Sequence, residues 1–147
     1  MQAATCALIA VMLASIVSGD SWYSDCSSGQ KVTDFELNGC NSQPCVLKNK
    51  KPALVKIYFK SAKDIKKVTG KACGKTVLSL APCRPLAQAD LGTCTDSASS
   101  CLTKSDDTYM YQSNNVVNSP LPYKGESTYR LYNGKEEVAC VKTIVDI

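Results

Sequence analysis

The sequence has no histidine, one tryptophan and two phenylalanines. The missing imidazole removes the usual general base of nucleophilic catalysis and the commonest metal ligand. No serine sits in a Gly-x-Ser-x-Gly setting, and the paired acids Asp106-Asp107 and Glu136-Glu137 fall in loop-like segments. Zinc sites built on cysteine use C-x(2–4)-C pairs, and Cys40/Cys45 is the single close pair in that range. Together these absences predict no enzyme activity, no metal and no cofactor. No stretch after residue 20 keeps a helical i, i+3, i+4, i+7 pattern beyond about two turns. N-glycosylation acceptors are lacking too, since Asn41 precedes Ser-Gln and Asn118 precedes Ser-Pro. The aromatics are mostly tyrosine and do not interleave with basic clusters, so nucleic acid is not an expected partner. A formal charge of +4 is mild. Its clusters, Lys48/Lys50/Lys51 and Lys63/Lys66/Lys67, suit a solvated face or transient contact with an anionic membrane.

At the start of the chain, residues 1–19 (MQAATCALIAVMLASIVSG) carry no charged side chain. Ala7 to Val17 is an apolar run of signal-core length, short for a membrane span. Small residues precede Asp20, where the chain turns polar, although the usual N-terminal Lys or Arg is missing. The pattern predicts a cleaved secretory leader over 1–19, an extracellular protein, and one domain over 20–147.

Of nine cysteines, Cys6 lies in the expected leader and eight follow it. An even count in an exported chain reads as a disulfide framework, with 105 pairings open. Cys40–Cys45 and Cys94–Cys101 bracket segments rich in turn formers and look like small closed loops. Cys73 and Cys83 flank an apolar stretch, which leaves Cys26 and Cys140 for the two ends of the domain.

Between the cysteines the chain alternates apolar and polar residues. Lys31–Leu37 reads as a strand with an irregularity after Val32, ended by Asn38-Gly39. Ala53–Phe59 is the clearest strand, with Val55, Ile57 and Phe59 on one face. Residues 61–69 read as a short helix or a strand ending. Lys75–Leu80 reads as a strand stopped by Pro82 and Pro85. Thr108–Gln112 places Tyr109 and Tyr111 together, and Pro120-Leu-Pro122 breaks the chain again. Asn133-Gly134 between Ser127–Tyr132 and Val138–Ile147 is a hairpin signal. Short strands at such spacing predict an all-β sandwich or barrel.

In order, Asp25-Cys26-Ser-Ser-Gly29, Cys40-Asn-Ser-Gln-Pro-Cys45, the Val55/Ile57/Phe59 strand, the Cys94…Cys101 loop, Tyr109-Met-Tyr111 and a late hairpin bearing Cys140 follow one another. From Asp20 to Ile147 this resembles the ML (lipid-recognition) domain, and within it the Niemann–Pick type C2-like branch related to the group 2 mite allergens. The resemblance implies a monomeric immunoglobulin-like two-sheet sandwich with an internal apolar cavity. It also implies the bridges Cys26–Cys140, Cys40–Cys45 and Cys94–Cys101. Cys73 and Cys83 are additional to that pattern, and a fourth bridge is expected between them. Two further departures weaken a reading in which the ligand is cholesterol. Lys124-Gly-Glu-Ser-Thr is shorter and more polar than the matching segment of the sterol carriers. Arg84-Pro85-Leu86 stands where those carriers place a bulky aromatic.

The expected function is that of a secreted carrier holding a sterol or other lipid between its sheets, with an anionic membrane or a lipid-accepting protein as transient partner. The runner-up is a secreted protein that recognises a lipid cue in innate immunity or chemosensation. The expected inward set is Val55, Ile57, Phe59, Leu78, Leu80, Tyr109, Tyr111, Leu121, Tyr129, Leu131, Val141 and Val145, with Pro82, Pro85, Leu86 and Pro122 at the rim. Alternation does not separate residues that line a cavity from residues that fill a core. The two tyrosines stand out because a buried phenol needs a polar partner.

Overall fold

The computed structural model describes residues 21–75, 80–92, 94–95 and 99–147. The expected leader, the Asp20 boundary and Leu78 lie outside these residues, as does the side chain of Leu80. No helix among the described residues is long and apolar enough to cross a membrane.

Among the described residues the chain forms ten strands: β1 (Ser24–Asp25), β2 (Val32–Leu37), β3 (Cys45–Val46), β4 (Pro52–Lys60), β5 (Lys67–Lys75), β6 (Leu80–Asp90), β7 (Ser100–Ser105), β8 (Thr108–Val116), β9 (Lys124–Asn133) and β10 (Glu136–Asp146). They make two sheets, one in the order β1-β10-β9-β5-β6 with β3 added parallel to β10, the other β2-β4-β8-β7. The chain passes from one sheet to the other after β1, β2, β3, β4, β6 and β8, so neither sheet is a simple meander. The architecture is an all-β, disulfide-stapled, two-sheet sandwich.

Local sequence explains most of the elements. In β2 the register shifts between Val32 and Asp34, which places Phe35 and Leu37 on the inner face. Asn38 and Gly39 then adopt positive φ and end the strand. Val55, Ile57 and Phe59 of β4 are buried while Lys56 and Tyr58 are not, as period-two alternation demands. The β9–β10 hairpin turns at Gly134, whose φ of 64° suits a residue without a side chain.

Two expectations are corrected. Residues 61–66 form neither helix nor strand, and β5 begins at Lys67. Pro82 and Pro85 do not stop a strand, because both lie inside β6. The reason is position, since β6 is the edge of its sheet and pairs there only with β5. A missing N–H costs nothing on the unpaired side of an edge.

Four disulfides staple the sandwich: Cys26–Cys140, Cys40–Cys45, Cys73–Cys83 and Cys94–Cys101. Cys26 lies beside the β1–β10 pairing, where its N–H donates to the Cys140 carbonyl at 2.9 Å. Cys73 and Cys83 are direct cross-strand partners in the β5–β6 hairpin. Such a set is consistent with the oxidising secretory pathway.

Candidate functional site: a cavity at one end of the sandwich

The inward positions of the strands change character along their length. On β8 the inward row runs Tyr109, Tyr111, Ser113, Asn115. On β9 it runs Leu131, Tyr129, Ser127, and on β5 Val68, Gly70, Ala72, Gly74. Large side chains therefore face small ones across the length of the sandwich. At the end with small residues the sheets part around a half-open hollow of ≈ 680 Å³, within the range of small-molecule sites. Its walls include Leu37, Leu47, Ala53, Val55, Ala72, Leu86, Tyr129 and Val145.

Gly70 marks the boundary. A Cβ there would come within 3.0 Å of Leu86 and 3.2 Å of Leu131. Without one, these two leucines close the filled part, and Leu86 turns its other side to the hollow. The far wall is the segment 117–122, tied to the β3–β4 loop. Lys50 N–H donates to the Val117 carbonyl at 2.7 Å, Val117 N–H to Lys51 at 2.9 Å, and Asn49 Nδ2 to the Ser119 carbonyl at 2.7 Å. Tyr123 closes the base, where its hydroxyl receives the Lys75 N–H at 2.7 Å and donates to the Glu126 carbonyl at 2.6 Å.

Of the expected inward residues, Val55, Leu86, Leu121, Pro122, Tyr129 and Val145 line this hollow. Ile57, Phe59, Tyr109, Tyr111, Leu131 and Val141 do not line it, and each is completely buried in the filled end. The two tyrosines find their polar partners in the protein itself. Tyr109 Oη accepts the Ile65 N–H at 3.0 Å and lies 3.2 Å from Asp64 Oδ1, and Tyr111 Oη donates to the Ala87 carbonyl at 2.5 Å. Phe59 stacks on Tyr109 with ring centroids 5.6 Å apart. Sequence reading missed Leu37, Leu47, Ala53, Ala72, Val116, Val117, Tyr123 and Ile147 as lining residues. A scan for small residues at inward positions would have found Ala53 and Ala72.

Burial pushes the Tyr129 phenol above its ordinary value, with the neighbouring Ser127 hydroxyl opposing. Burial likewise raises Tyr123 and Tyr111. These groups stay neutral at physiological pH, so the hollow carries no phenolate. Among the described residues every fully buried side-chain nitrogen and oxygen has a partner.

The rim is apolar and basic. Leu121 and Val116 remain 73% and 66% exposed there, and Lys48, Lys50 and Lys51 are exposed on the adjoining loop. A second hollow of ≈ 490 Å³ lies at the opposite end, between Lys31, Lys60, Lys63, Asp107 and Glu136. Its charges largely neutralise one another, with Lys63–Glu136 at 2.8 Å and Lys60–Asp107 at 3.6 Å. The hydrogen bond and charge of Lys63 hold the exposed Glu136 carboxyl below its usual range. No cluster of metal-ligating side chains occurs among the described residues.

No protein-family model matches the chain, and no curated protein matches its sequence. Among solved structures, a Niemann–Pick type C2 protein from Japanese carpenter ant superposes with a TM-score of 0.61 at 22% identity, over 85% of this chain and 98% of that one. A Pseudomonas fluorescens alkylpurine DNA glycosylase reaches 0.47 at 10% identity over 80% of this chain and 30% of that one, too slight a likeness to bear on the fold. The first match shows that the sandwich has the Niemann–Pick type C2-like fold.

Proposed function

We propose that the chain is a secreted, non-catalytic carrier that holds a lipid between its two sheets and moves it through an aqueous compartment. The observation that carries this reading is the hollow itself. Sandwich cores normally interdigitate without voids larger than a water. Here small residues at Ala53, Ala72, Gly74 and Ser127 leave ≈ 680 Å³ behind apolar walls. Apolar surface buried there is worth about 25 cal/mol per Å², so an alkyl chain or ring system binds without hydrogen bonds in the interior. A polar end left at the mouth avoids the cost of unpaired burial. The bridges keep an underfilled sandwich from collapsing or opening.

Loading and unloading need a route past water. Exposed Leu121 and Val116 beside Lys48, Lys50 and Lys51 suit transient contact with an anionic membrane, apolar tips entering the interface and lysines meeting headgroup charge.

Val55→Phe tests the reading by filling the hollow from a wall. Uptake of a fluorescent lipid is expected to fall at least about tenfold, or ~1.4 kcal/mol, with the thermal midpoint retained. Unchanged uptake would place the ligand elsewhere. Native mass spectrometry of freshly secreted protein should show a co-purified lipid in the wild type and less of it in the variant.

A further inference from the structure

The inner faces of the two sheets carry apolar, small or neutral side chains where they border the hollow, with one exception on β6. Leu86 faces inward opposite Gly70. Two residues earlier, alternation places Arg84 on the same face, directly opposite Ala72, another wall residue. Among the described residues Arg84 is the single charged side chain lining the hollow, and no aspartate or glutamate side chain lines it. The seven ion pairs of the described residues all use other cations, and no described hydrogen bond engages the guanidinium.

A guanidinium presents donors in a planar fork that matches a carboxylate or phosphate. At the exposed mouth it stays hydrated when the hollow is empty, so it carries no burial penalty there. Its backbone is held in place: Cys83 precedes it, and the Cys73–Cys83 bridge fastens that point of β6 to β5. Charge at the mouth and apolar walls behind it are the two halves of an amphiphile site.

We propose that the lipid is an anionic amphiphile, its carboxylate or phosphate head paired with Arg84 at the mouth and its tail among Val55, Leu86, Tyr129 and Val145. This rests on the carrier reading and narrows it to a ligand class. A neutral lipid would gain nothing from Arg84, the one cationic side chain lining the hollow among the described residues. An inward charge on an edge strand also discourages pairing with another chain; that role alone would alter aggregation and leave ligand choice unchanged.

The test is displacement of the neutral probe N-phenylnaphthylamine, in vesicle-free solution, by dodecanoate, dodecyl phosphate and dodecanol. Wild type is expected to bind each anion about fivefold or more tighter than the alcohol, and raised salt should shrink that margin. Arg84→Gln should erase the preference while leaving the alcohol's affinity unchanged, and Arg84→Lys should keep part of it. A preference for dodecyl phosphate alone assigns the head as a phosphate, and for dodecanoate alone as a carboxylate. Equal binding of anions and alcohol by wild type, or an undiminished preference in Arg84→Gln, overturns the role of Arg84 and leaves the carrier standing. Failure of the probe and all three ligands to bind overturns both.

Discussion

The two ends of the sandwich are built from the same strands and do opposite things. Toward one end, Ile57, Phe59, Tyr109, Tyr111, Leu131 and Val141 are fully buried and interlock, with Tyr109 anchored on Ile65. Toward the other, Val55, Tyr129 and Val145, one or two inward steps along β4, β9 and β10, look onto open space. The switch comes from neighbours rather than from these residues. Where β8 and β5 offer tyrosine and valine the space is filled, and where they offer Asn115, Ala72 and Gly74 it is not. Filled core and open space are thus separated along the strand axis.

The sharpest break of that division is Phe59→Ala. It removes a stacked ring from the filled end and should cost about 3–5 kcal/mol in urea unfolding. Val55→Ala, one wall of a space already open, should cost about 1–2 kcal/mol. Equal losses would mean that the ends are not distinct. Next in size is Tyr109→Phe, which keeps the packing but strands the buried Ile65 N–H, at about 1–3 kcal/mol. Amide exchange at Ile65 should accelerate in that variant, and a neutral result would show that water replaces the hydroxyl. The smallest effect is on pH. Burial holds Tyr111 and Tyr129 above the ordinary phenol value of 10.0. The unfolded chain therefore gives up those protons first. Stability is fully present below pH 10.0 and falls as pH rises past it. Ultraviolet absorbance should show these phenols ionising together with unfolding, and early independent titration of both would contradict their burial.

Much of this was readable from residues alone. Alternation marked β4 and the inner face of β8, and Asn133-Gly134 marked the last hairpin, because these signals are local and need no partner. Cys73 and Cys83 were paired in expectation and are bridged in the structure. The edge position of β6 was hidden, since a proline reads as a stop until the sheet order shows a strand with a sheet partner on one side only. β1 and β3 have two residues each, too few for a period to register. The division of the inward set into filled and open ends was hidden for the same physical reason. Period two reports which face a side chain takes, and the vacancy beside Val55 is set by Ala72 and Gly74, residues that carry no hydrophobic signal of their own.

The cysteine pairings also impose an order of assembly. Three bridges span separations of 5, 7 and 10 residues, so each needs only its own loop or hairpin in order to close. Cys26 must instead wait for a partner 114 residues away. Until β10 arrives, its thiol shares the domain with six other bridge-forming cysteines, each with a closer partner. Early closure of those local pairs would remove the competitors, and the short bridges would then guard the long one. A cell making this protein would face its main risk of scrambling in the interval before the last hairpin docks.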